Sequence, residues 1–179
     1  MNDEWAITEF NQVNLGDERL KKRLTAISAK FAKSPESSIN QACGNWAETK
    51  AAYRFFQNDN IVYKDITDSH MEATKGRCKE WPVILAIQDT TYFNYTDHEK
   101  TTGLCRLSRN RGKHKNEIPT LGLIMHSTLA ISIEGLPLGI INQKIYARPE
   151  LSEEIKDLKR RSHNNALPVE EKDSIRWIE

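Results

Sequence analysis

The sequence predicts an α+β fold, with helices first and strands after, and three observations carry that reading. Apolar residues recur at helical spacing as far as about residue 75. Beyond Trp81 and Pro82 the pattern changes to β-rich runs at 83–87, 121–133 and 138–146. Between the last two runs, Glu134, Gly135, Leu136 and Pro137 make a turn, which predicts a hairpin and three consecutive antiparallel strands in all. With 179 residues the chain has room for a small helical domain, placed at 1–78, and a strand-bearing domain or part of one at 79–179.

The strongest helix opens at Asp17, which can cap it, and ends at Ser34 and Pro35. Leu20, Leu24, Ile27 and Phe31 form its apolar stripe, and a turn of about 100° per residue places Arg19, Lys22, Arg23, Lys30 and Lys33 along the flank. Such a flank reads as a solvated face or as a surface for an anionic partner. The stretch 35–44 is polar and lacks a period, so it reads as a linker. A second helix begins at Asn45, where Asn45 and Glu48 have capping-box spacing, and runs to Asn58. It packs through Ala52, Phe55 and Phe56, while Tyr53 and Arg54 can face outward. A third helix, Tyr63 to Lys75, buries Ile66, His70 and Ala73, which makes His70 a core-edge residue rather than a ligand.

The run Val83 to Ile87 contains no charge and reads as a buried strand that delivers Asp89 at its end. A carboxylate there is costly to desolvate unless donors or a cation meet it. Asp89 therefore has two readings, a strand-end cap held by backbone and Thr90 or Thr91, or a metal ligand. Residues 96–116 are polar and basic and read as a loop or an ill-ordered arm. The segment from Glu150 to Arg161 reads as a charged helix, Ser162 to Pro168 breaks it, and a last helix starts near Val169. Ile175, Trp177 and Ile178 then lack a partner surface, so the reading is of a fold cut short.

Global charge announces no nucleic-acid partner, because 26 basic residues face 25 acidic ones. Distribution is more informative. Basic residues gather at Arg19–Arg23, Arg106–Lys115 and Lys159–Arg161, and acids at Glu150–Asp157 and Glu170–Asp173. Cys43, Cys78 and Cys105 lie far apart with no His at ligand spacing, which argues against a zinc site or disulfide framework. The sequence has no signal peptide pattern and no long apolar span, so a soluble, cytoplasmic protein is expected.

Five segments, LGDERLKKRL at 15–24, AAYRFFQN at 51–58, AIQDTT at 86–91, HSTLAIS at 126–132 and GLPLGIINQKIYARP at 135–149, occur in one order. In that order they resemble the N-terminal part of bacterial DDE cut-and-paste transposases, specifically the transposon Tn-five branch of the insertion-sequence-four group. The resemblance covers roughly residues 5–149. It implies a helical domain that grips double-stranded transposon-end DNA, followed by an incomplete ribonuclease H-like domain with a charged helical tail. It further implies that Asp89 is the first Mg²⁺-binding catalytic aspartate, and that Arg19, Arg23 and Arg54 are DNA-binding residues. Under the resemblance the remaining catalytic carboxylates would lie beyond Glu179, so the chain is expected to be inactive alone and to hold no metal stably.

Glu150, Glu153, Glu154, Glu170 and Glu171 sit in charged helical runs and are read as solvated rather than as substitutes. His126 and Ser127 are strand neighbours, hence on opposite faces, and make no nucleophile pair. Three functions follow: a truncated transposase that binds DNA and can block the intact enzyme, one part of a split transposase completed by a second polypeptide, and a protein-interaction module without DNA specificity.

Overall fold

The computed structural model describes residues 3–107 and 120–149. Five helices lead, α1 (Glu4–Glu9), α2 (Glu18–Lys33), α3 (Ile39–Cys43), α4 (Trp46–Phe56) and α5 (Tyr63–Cys78). Four strands follow, β1 (Ile84–Asn94), β2 (Cys105–Arg106), β3 (Leu121–Ser132) and β4 (Pro137–Tyr146). The fold class is α+β, as expected. The chain divides into two compact units, Met1–Ala86 with Leu129–Ile141, and Ile87–Thr128 with Asn142–Glu179.

In the first unit α2, α3 and α4 pack around Val13, Leu24, Ile27, Cys43, Ala52 and Phe55. Helix α2 forms as its pattern requires. Asp17 accepts the Arg19 amide at 2.8 Å, Leu24 and Ile27 are buried, and Ser34 closes the C-terminus. The stretch read as a structureless linker contains α3, a short helix held by a reciprocal capping box between Ser38 and Gln41. Gly44 ends it in the left-handed conformation, at φ 79°. Helix α3 is too short to show a period, which is why spacing alone hid it; α1 was hidden in the same way.

Helix α5 runs to Cys78, past the expected end at Lys75, and its buried positions are the small polar Ser69 and Thr74. Ile66, His70 and Ala73, read as its buried face, are half-buried instead. The small side chains admit a close neighbour. Gly139 at the start of β4 lies so near that an added Cβ would fall 2.4 Å from Thr74 Oγ1. Arg77 donates to the Leu138 carbonyl at 2.6 Å, and His70 Nε2 accepts the Ile140 amide at 3.0 Å. His70 is thus a structural residue, with Nδ1 left to face Glu9.

The sheet has the order β1-β3-β2, with β4 also paired to β3 through the hairpin. The expected hairpin is present, closed by the Leu136 carbonyl accepting the Ser132 amide at 2.9 Å. Strand β2 lies in the segment read entirely as a loop, and pairs antiparallel with the start of β3, Cys105 opposite Gly122. Two corrections concern β1. The strand does not end near Asp89 but continues to Asn94, because pairing with β3 extends to the Tyr95 amide and the Leu121 carbonyl. Nor is it buried, since Val83, Leu85 and Ile87 are exposed. An apolar run predicts strand geometry, but burial needs a covering layer, and none lies over these side chains among the described residues. The helices expected after Glu150, and the charged clusters within them, lie outside the described residues.

Candidate nucleic-acid interface

Helix α2 carries five of its six basic side chains, all but Lys21, on one face, and at 1.5 Å rise per residue Arg19 to Lys33 spans about 21 Å. Most of that charge is already met within the helical unit. Arg19 folds back on Asp17 at 2.9 Å, while its side chain stays 90% exposed. The Arg19 hydrogen bonds hold the Asp17 carboxyl below the usual carboxylate range. Arg23 Nη1 lies 2.9 Å from Glu48 Oε2, Lys30 Nζ lies 3.5 Å from the same oxygen, and Lys33 pairs with Asp3 at 2.7 Å. Lys22 is exposed and makes no such pair among the described residues.

Helix α4 presents a different surface. Thr49, Ala52 and Phe55 face the core, so the opposite side carries Trp46, Lys50, Tyr53, Arg54 and Gln57, all exposed. Trp46 is 75% exposed, a large apolar side chain at the first turn of a well-capped helix. Asn45 accepts the Glu48 amide at 2.9 Å, completing half of the anticipated capping box. The Glu48 carboxylate is engaged instead by Arg23 and Lys30. Lys50 and Arg54 make no hydrogen bond or ion pair among the described residues. The face therefore offers two uncompensated cations beside two aromatic rings, over about 12 Å of helix from Trp46 to Arg54. Free cations suit phosphate oxygens and base edges, and the rings suit thymine methyls or base faces.

Residues 2–61 match the family model for transposase DNA-binding. The match takes in α1 to α4 and ends before α5. The helical region is thus similar to the N-terminal, DNA-binding part of transposases, which supports DNA as its partner.

Of the basic residues singled out in the sequence, Arg54 stands on the exposed α4 face, Arg19 stands at the outer start of α2, and Arg23 lies between α2 and α4. Sequence reasoning passed over Trp46 and Lys50, although the spacing 46, 50, 53, 54, 57 around a helix with a known core face identifies them.

In the second unit Asp89 is exposed in the middle of β1. Its neighbour Thr90 points to the other face and meets His126 Nδ1 at 2.8 Å. Tyr146 Oη meets His126 Nε2 at 2.8 Å, so one imidazole joins β1, β3 and β4. His126 is buried, and its strand neighbour Ser127 points away from this network, in keeping with the expected alternation. Among the described residues no three His, Cys, Asp or Glu side chains converge as a metal site. No helix among the described residues is long and apolar enough to cross a membrane.

Proposed function

We propose that this chain binds double-stranded DNA at the ends of a transposable element, as the N-terminal portion of a DDE cut-and-paste transposase of the Tn-five branch. The observation that carries the reading is the outward face of α4, where uncompensated Lys50 and Arg54 stand beside exposed Trp46 and Tyr53 inside the region similar to transposase DNA-binding domains. Arg54 and Lys50 supply phosphate and base-edge contacts, and Arg19 with Lys22 extends the contact along α2. The major groove, about 12 Å wide, admits a helix of this kind.

In the same reading the β-sheet belongs to a ribonuclease H-like domain, and Asp89 is its first metal-binding aspartate. The order of β1, β3 and β4, three successive long strands with β3 central, supports that assignment. The Mg²⁺ chemistry needs further carboxylates beside Asp89.

A mobility-shift titration with the element's terminal duplex and a scrambled duplex of equal length tests the function. Preference for the terminal duplex supports end recognition; equal binding to both removes it. A second reading, association with another polypeptide, is favoured by the position of β1 at the end of the strand order with Val83, Leu85, Ile87 and Tyr92 exposed. Light scattering that returned the monomer mass up to high concentration, without and with full-length transposase, would remove it.

A further inference from the structure

The α2 flank, the strongest basic feature of the sequence, is largely neutralised inside its own unit. One of the three carboxylates that neutralise it meets two cations at once. Glu48 Oε2 is shared by Arg23 at 2.9 Å and Lys30 at 3.5 Å, and the three side chains are each about one-third exposed. Lys30 also donates to the Cys43 carbonyl at 3.2 Å, which anchors its ammonium beside the carboxylate. The cluster carries a net charge of +1 where the two cations alone would present +2. Its partial exposure leaves it open to a competing anion, and among the described residues only one nitrogen of the Arg23 guanidinium is engaged.

We propose that Glu48 is an internal phosphate mimic that sets how strongly the helical unit holds DNA. This rests on the DNA-binding reading above. In the free protein Glu48 occupies Arg23 and Lys30. On DNA, a backbone phosphate competes for the same two cations, so part of the phosphate attraction is offset by displacement of the carboxylate. The device lowers affinity and salt dependence together, and it acts on the sequence-independent share of binding, because phosphate contacts carry no base information. Base discrimination by the α4 face is left intact, so the ratio of specific to non-specific binding is set separately from overall grip.

The position of Glu48 fits this role better than that of a plain helix-stabilising acid. It stands in the first turn of α4, where an acid is favoured by the helix dipole, and has the spacing to reach back to the Asn45 amide. Its carboxylate instead reaches to α2.

The test is a DNA titration of Glu48→Gln across salt concentrations, with thermal melting of the same preparations. The expected result is about three- to tenfold tighter binding at low salt, equal on terminal and scrambled duplexes, with a log K against log salt slope steeper by about 0.9 for each phosphate gained. In an Arg23→Gln background the gain should fall by at least half. Glu48→Asp, which keeps the charge but withdraws the carboxylate by one methylene, should show a smaller gain, and it carries the test if Glu48→Gln does not fold. No gain, or weaker binding, with an unchanged melting temperature overturns the proposal. An equal gain with and without Arg23 reduces the effect to bulk charge and overturns it as well. If the wild-type chain binds neither duplex, the DNA-binding reading itself fails, a result distinct from wild-type binding that Glu48→Gln leaves unchanged.

Discussion

Arg77 grips Glu9 with both terminal nitrogens, at 2.7 and 3.0 Å, and so ties α5 to α1 across 68 positions of sequence. His70 adds a contact from Nδ1 to the same carboxylate, while Arg77 Nε and His70 Nε2 hold the Leu138 carbonyl and the Ile140 amide. One carboxylate thus organises the closing contacts of the helical unit and the start of β4.

The Glu9 clasp predicts an acid-sensitive stability. Burial alone would raise the Glu9 carboxyl, but the Arg77 and His70 hydrogen bonds and charges outweigh it and hold the carboxyl below its ordinary 4.5. A depressed carboxyl contributes stability that is fully present above the unfolded value and is lost as pH falls through the folded one. Urea unfolding should therefore show stability falling below about pH 4.5. Glu9→Gln should cost about 2 kcal/mol at neutral pH and flatten that fall. An unchanged acid profile in Glu9→Gln would show that other carboxylates govern it.

Gly122 predicts a steric requirement inside the sheet. A Cβ at this buried position would lie 1.8 Å from the Phe93 carbonyl oxygen and 2.6 Å from Leu107. Because the first obstacle is backbone, β1 and β3 must part locally to admit even alanine. Gly122→Ala should cost about 3 kcal/mol by denaturant unfolding. Gly76, with open space around its missing Cβ, should accept alanine and gain about 0.5–1 kcal/mol, since glycine is a poor helix former.

The imidazole of His126 predicts a cross-strand stabilising role. Tyr146→Phe removes the hydrogen bond to Nε2 and should cost about 1 kcal/mol. Substituting His126 with alanine leaves the Thr90 and Tyr146 hydroxyls without it and opens a cavity, so the loss should be about 3 kcal/mol. Matching losses in the two variants would place the histidine's importance in the tyrosine contact alone.

Much of this architecture was legible in the residues, and the exceptions have physical causes. The Asp17 cap, the Leu24 and Ile27 stripe and the Asn45 start of α4 are local signals, and each is found where the sequence puts it. Helices α1 and α3 are shorter than the repeat that would reveal them. The burial of Ser69 and Thr74 depends on the approach of Gly139, a long-range contact that composition does not encode. Val83 to Ile87 shows the converse error, since an apolar strand is exposed wherever nothing covers it. At the candidate interface the arginines were visible as charges, but their pairing was not. Arg54 and Arg23 look alike in sequence, and only the placement of Glu48 separates a free cation from an occupied one.

That separation predicts different consequences for the two arginines. Arg23→Ala should weaken DNA binding and also lower the melting temperature, because it removes the shorter of the two ion pairs that tie Glu48 of α4 to α2 and leaves the carboxylate with Lys30 alone. Arg54→Ala should weaken DNA binding with the melting temperature unchanged, because its side chain is exposed and has no ion-pair partner among the described residues. Circular dichroism melts of the two variants check the contrast, and equal melting losses would contradict it.

The most direct test is an anisotropy titration of the wild-type chain and Arg54→Ala against the element's terminal duplex and a scrambled duplex at two salt concentrations. The account predicts wild-type preference for the terminal duplex, weaker binding at the higher salt, and about a tenfold loss of terminal-duplex affinity in Arg54→Ala. Wild-type binding equal on both duplexes and unaffected by Arg54→Ala would contradict it.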